Sequence, residues 1–170
     1  MAQNTDILDL GRIGLESGAG RHLDLTVAID DLELGGQRYT AVSEVPVQLD
    51  VAKMPGGHSL RLRAEVVLSG PCMRCLEDAG RRVTIDTREI DQSGGGEELE
   101  SPYIDGDDLD LRSWARDAVA LELPTQIICA EDCKGICSIC GENLNTAAPD
   151  HHHEKAPDPR WNKLGELRFE

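Results

Sequence analysis

Residues 45–68, "VPVQLDVAKMPGGHSLRLRAEVVL", hold the pattern that decides the fold. Val45, Val47, Leu49 and Val51 alternate with polar neighbours; Leu60, Leu62, Ala64, Val66 and Leu68 do the same beyond the break. Side chains along a strand point to opposite faces in turn, so each run presents one apolar face, as half-buried antiparallel strands do. "MPGGH" between the runs supplies the Pro and Gly of a hairpin connection. The outward positions Arg61, Arg63 and Glu65 read as a solvated sheet face.

Alternation also marks "HLDLTVAI", where Leu23, Leu25, Val27 and Ile29 share a face, and more weakly "RVTID", with Val83, Ile85 and Thr87. The period changes in "DLDLRSWARDAVALELP", where Leu111, Trp114, Ala115, Ala118 and Val119 fall on one side of a helix. Asp110 is placed to cap that helix and Pro124 to stop it. The expected fold is α+β: an antiparallel β-meander packed by at least one helix, followed by a zinc-binding Cys/His segment. The expected organisation is a flexible segment over 1–20, a β-rich domain over 21–124 with an acidic loop at 91–110, a Cys/His-rich segment over 125–153 and a tail over 154–170.

Hydrophobic residues make up 39% of the 170 residues and aromatic ones only 3%, so Ile, Leu and Val must build the core. No apolar run approaches the ~20 residues a membrane helix needs. The first twenty residues lack the basic and continuously apolar regions of a signal peptide. A cytoplasmic location is therefore expected, where thiols stay reduced and cysteine clusters point to metal or redox chemistry more than to disulfides.

The formal net charge is −15, and it is unevenly placed. From Asp86 to Asp110, ten acidic residues face one basic residue, Arg88. From Lys53 to Arg82 the balance reverses to +3. A basic protein is the easier partner for such a chain, whereas unaided grip on a phosphate backbone would need many Lys and Arg contacts. Arg61, Arg63, Arg74, Arg81 and Arg82 are the candidate contact residues for RNA or another partner.

Six cysteines lie in two CxxC elements, Cys72/Cys75 and Cys137/Cys140, and one CxxxC pair, Cys129/Cys133; His151 and His153 follow as HxH. A CxxC turn lets two thiolates reach one tetrahedral ion. These eight candidate ligands suffice for two four-coordinate zinc sites. The favoured arrangement groups Cys72, Cys75, Cys129 and Cys133 in one, and Cys137, Cys140, His151 and His153 in the other. The alternative is one zinc held locally by Cys129, Cys133, Cys137 and Cys140. A redox CxxC would want a helix amino end in a βαβ setting, which neither element has. There is no P-loop, GxGxxG or nucleophile elbow, so no catalytic residue, enzymatic activity or small-molecule substrate is expected.

The segments "CMRCLED", "LELP", "CAEDCKGICSICGENLN" and "HHHEKAPDPRWNKL" together resemble the YceD family from about Leu60 onward. The HxH with "DPRWNKL" is similar to the actinobacterial branch. This resemblance implies a role in accumulation of 23S ribosomal RNA, through its synthesis, processing or stability, and in large-subunit assembly. With the acidic charge, it points to a basic ribosomal protein, 23S rRNA or its precursor as partners; the lack of a long apolar run leaves no membrane partner expected. The alternative is a zinc-dependent protein-interaction or transcriptional module unrelated to ribosomes.

Overall fold

The computed structural model describes residues 5–153 apart from 43, 93, 95, 97 and 98. The expected 154–170 tail, with its "DPRW", lies outside the described residues. Among the described residues, nine strands, a short 3-10 turn (Gly11–Ile13) between the first two, and one α-helix follow in order: β1 (Ile7–Asp9), β2 (Gly20–Val27), β3 (Leu32–Leu34), β4 (Gln37–Ala41), β5 (Val45–Met54), β6 (Gly57–Pro71), β7 (Asp78–Gln92), β8 (Ile104–Asp105), β9 (Asp108–Asp110) and α1 (Leu111–Leu121).

The two alternating runs form β5 and β6, joined through Pro55 and Gly56, with Met54 opposite Gly57. Proline fixes the first turn residue and Gly56, at φ 83°, takes the left-handed second position. Strand β6 organises the sheet because it is 15 residues long. Strand β7 pairs with its whole length, Gly57↔Gln92 to Pro71↔Asp78. The other edge is shared: β5 takes Gly57–Ala64 and β4 takes Leu68 and Ser69. Strand β2 then flanks β5, and β3 flanks β4.

That order departs from a simple meander. The β3–β4 hairpin intervenes in sequence between β2 and β5, because β6 outruns β5 and leaves an edge to be paired. The sheet buries Val47, Leu49, Leu60, Leu62, Val66, Leu68, Val83 and Ile85 on one face. Against them α1 sets Leu111, Trp114, Ala115, Ala118 and Val119, the five positions of the helical stripe. Trp114 stacks on Tyr103 with ring centroids 6.2 Å apart. Asp110 caps α1, its carboxylate accepting from the Ser113 backbone N–H at 2.9 Å and hydroxyl at 2.7 Å.

Two boundaries need correction. Residues 5–20, expected as part of a flexible segment, are not simply flexible: β1 pairs with β9, and Leu10 and Ile13 enter the core. Arg112 fastens this segment from α1, donating to Asp6 and to Asp30. The 91–110 stretch is not only a solvated loop either. It carries the β8–β9 hairpin, the fully buried Leu109, and Ser101, which donates to Asp91 and Glu89 carboxylates.

Replacing Asp110 with Ala should cost about 1 kcal/mol by removal of the helix cap. Denaturant unfolding of the variant would read this directly, and an unchanged midpoint would exclude a capping role.

Candidate metal centres

The long β6–β7 hairpin ends in the first CxxC turn, and the chain after α1 returns to that tip. The Met73 N–H donates to the Ile127 carbonyl at 2.9 Å, which docks the returning segment. Ile127 joins Tyr39, Cys72, Cys75, Ala79 and Cys133 in a small second core. Tyr39 reaches it from β4 and donates its hydroxyl to the Pro71 carbonyl at 3.1 Å.

This docking gathers the four sulfurs of Cys72, Cys75, Cys129 and Cys133, all within 4.8 Å of one another. Cys72 Sγ lies 3.8 Å from Cys133 Sγ, and Cys75 Sγ 3.6 Å from Cys129 Sγ. A disulfide would need ~2.0 Å. A tetrahedron built on ~2.3 Å zinc–sulfur bonds has edges of ~3.8 Å, so the spacing fits a tetrathiolate cation site. Cys72, Cys75 and Cys133 are buried and Cys129 is exposed.

A second group forms beside it. Cys137, Cys140, His151 and His153 also bring their ligand atoms within 4.8 Å of one another. His151 Nε2 is 3.7 Å and His153 Nε2 3.2 Å from Cys140 Sγ. The opposite nitrogen of His151, Nδ1, meets Glu142 Oε2 at 2.8 Å. A carboxylate on the far ring nitrogen fixes the tautomer that leaves Nε2 free for a metal. These two groups are the ones drawn by the two-site arrangement; the local alternative would unite Cys129 and Cys133 with Cys137 and Cys140. Both clusters can hold metal ions.

The two CxxC turns are copies of one another. Cys72 N–H donates to Glu77 O at 2.7 Å, and Cys137 N–H to Glu142 O at 2.8 Å. Leu76 N–H returns to Cys72 O at 2.9 Å, and Gly141 N–H to Cys137 O at 2.8 Å. The residue after each second cysteine is left-handed, Leu76 at φ 63° and Gly141 at φ 76°. The turns also abut, since the Ile136 N–H donates to the Arg74 carbonyl at 3.1 Å.

The turns aim backbone N–H groups at sulfur, which is what a thiolate needs. Burial works against the Cys72 thiolate, yet the N–H groups of Cys75, Arg74 and Cys129 lower its pKa to about 6. His151, helped by the N–H groups of Cys140 and Ile139, lowers Cys137 to about 6. Hydrogen bonding of Cys129 to the sulfurs of Cys75 and then Cys133 pushes that thiol up to about 12. Asn145 Nδ2 donates to Cys133 Sγ at 3.4 Å and holds that thiol below its ordinary value.

Asn145 and the orienting role of Glu142 were not legible in the sequence as support for the ligands. The repeated "CLE" and "CGE" after the CxxC pairs mark the shared turn and could have flagged Glu142; nothing comparable marks Asn145.

The five arginines do not form one open basic patch. Arg61 grips Asp86 through two bonds of 2.7 and 2.6 Å, Arg63 meets Asp50 at 2.7 Å, and Arg82 meets Glu65 at 3.1 Å. Each of these three has a carboxylate on an adjacent strand, so each is already charge-matched. Arg81 sits opposite Leu68 on the other face. Arg74 donates to the Cys133 carbonyl at 3.2 Å and braces the first cluster.

Residues 60–168 match the family model described as large ribosomal RNA subunit accumulation protein YceD. This chain belongs to the YceD family. The YceD match opens in β6 and takes in α1 and every candidate ligand. An uncharacterized protein of Mycobacterium tuberculosis is 33% identical over 171 residues, covering 94% of this chain and 80% of that protein. The maize large ribosomal RNA subunit accumulation protein YCED homolog 1, chloroplastic, is 28% identical over 182 residues, 86% of this chain and 61% of its own. The Arabidopsis thaliana protein of the same name is 39% identical over 61 residues, 36% of this chain and 19% of its own. No solved structure matches.

Leu76 is 56% exposed and left-handed, so its side chain gains little from burial while its backbone is strained. Leu76→Gly should raise stability by about 0.5–1 kcal/mol, as expected when a strained L-residue gives way to glycine. Thermal or denaturant unfolding would read the gain; a clear loss of stability would show that the leucine side chain supports the turn.

Proposed function

We propose that this YceD protein is a non-enzymatic, cytoplasmic factor that supports 23S rRNA accumulation and large ribosomal subunit assembly. Its family membership carries the reading, together with the name borne by the maize and Arabidopsis relatives. The function is exerted through contacts to a basic ribosomal protein, 23S rRNA or its precursor. Lowering the level of the protein in cells should reduce large-subunit relative to small-subunit rRNA; an unchanged ratio would contradict the proposal.

The metal assigned to both clusters is zinc, one ion in each. Thiolate and imidazole donors at tetrahedral spacing suit this borderline-soft ion. A four-cysteine set leaves no open coordination position, and Glu142 is engaged with His151 and so is not a free general base. Both features favour a structural over a catalytic use. Structural zinc contributes ~10–16 kcal/mol of apparent binding free energy in small peptides, enough to order a segment with little core of its own.

Protein purified without a histidine tag should contain two zinc ions per chain by elemental analysis. Cys137→Ser should leave one, with residues 135–153 newly sensitive to protease and the sheet intact by circular dichroism. Absence of zinc from the native chain would refute the assignment.

A further inference from the structure

The paired CxxC turns expose apolar side chains that neither the core nor the ligand sets employ. Met73, Leu76, Ile136 and Ile139 are 37%, 56%, 41% and 59% exposed. All four are carried by two turns whose backbones touch, Ile136 N–H to Arg74 O, with no room for a side chain at Gly135 without crowding that same carbonyl. Large apolar side chains gathered at the surface mark interaction sites more often than they serve folding.

Leu76 sharpens the point. Its structural counterpart in the second turn is Gly141, the residue that a left-handed position favours. Folding alone gives no reason to place an exposed leucine there, and strain kept against stability is a pointer to function.

The surrounding charge selects the partner. Glu77, Asp78, Glu131, Asp132, Glu142 and Asp150 are exposed on the same two segments. The described cations nearby are fewer: Arg74 is turned toward the Cys133 carbonyl, Arg82 is paired with Glu65, and Lys134 and Arg81 remain. A cleft of about 600 Å³ beside the first cluster has Glu77, Asp132 and Lys134 in its wall, two carboxylates against one ammonium. Such a rim repels phosphate and attracts ammonium and guanidinium groups.

We propose that the paired CxxC turns are the docking surface for a basic protein segment. The segment lays apolar side chains against Met73, Leu76, Ile136 and Ile139 and sets a Lys or Arg into the cleft between Glu77 and Asp132. Metal binding shapes this surface without taking part in the contact. The inference deepens the assembly-factor reading and rests on it for the first choice of probe.

The test uses the full, zinc-loaded chain with a photo-crosslinking residue at Ile139 and, as control, at Leu121, which is 84% exposed on α1. The probes are RNA-free proteins extracted from large ribosomal subunits and, separately, naked 23S rRNA. Crosslinks from position 139 to a basic protein, absent from position 121, are expected. Leu76→Gly, folded and at least as stable as the native chain, should bind that protein at least tenfold more weakly, whereas Leu76→Met should retain binding. Equal crosslinking from both positions, crosslinks to rRNA alone, or native affinity in Leu76→Gly would overturn the proposal. The same positions crosslinked in intact cells separate the two readings. A basic non-ribosomal partner at 139 whose binding is lost in Leu76→Gly would uphold the docking surface and retire the assembly role. An rRNA deficit on depletion without any partner at 139 would do the reverse.

Discussion

Four sulfur atoms drawn together from distant parts of the chain are the constraint on which the rest of the molecule depends. Cys72 and Cys75 lie at the tip of the β6–β7 hairpin; Cys133 and Cys129 follow 61 and 54 positions later. Beneath them the second core amounts to Ile127, Tyr39 and Ala79 with the cysteines themselves, too little apolar surface to hold the returning segment alone. The second cluster in turn depends on the first, because its turn is seated on Arg74 and its supporting loop reaches Glu77 through Asn143 at 3.4 Å. Pinning the first cluster therefore positions everything from Cys129 to His153.

The division of labour between the two halves follows. The sheet and helix make a conventional apolar core, with Arg61, Arg63 and Arg82 paired to carboxylates across strands. The cysteine segment has almost no core and puts its apolar side chains outside. With zinc bound as proposed, a segment folded by ligand bonds can expose leucine and isoleucine without losing its structure, because its stability would not come from burying them. That freedom is what would allow an apolar, acid-rimmed surface on the paired turns.

Much of the fold is legible in the sequence where one face alone is apolar. The β5–β6 hairpin and the five-residue stripe of α1 announce themselves by period. Strand β7 is largely hidden, since apart from Val83 and Ile85 its core-side positions include polar Thr87 and Glu89, the latter serving Ser101. The β3–β4 hairpin does have a local signal: "LELGGQRYTA" sets Gly35 and Gly36, both left-handed, between two short alternating runs. Strand β1 is invisible locally because its pairing partner, β9, lies about a hundred residues away. The candidate ligands could be named from spacing, but spacing fixes only the pairs within each turn. Which pairs meet is set by the Met73–Ile127 bond and the Tyr39 core, and neither leaves a local trace.

X-ray absorption spectroscopy at the zinc edge on the fully loaded chain tests the two-cluster arrangement most directly. One tetrathiolate and one Cys2His2 site average to about three sulfurs near 2.3 Å and one nitrogen near 2.0–2.1 Å per zinc. That mean shell is the expected result. A shell of four sulfurs with no nitrogen, in a chain holding a single zinc, would contradict the account and return the ligands to one local four-cysteine knot.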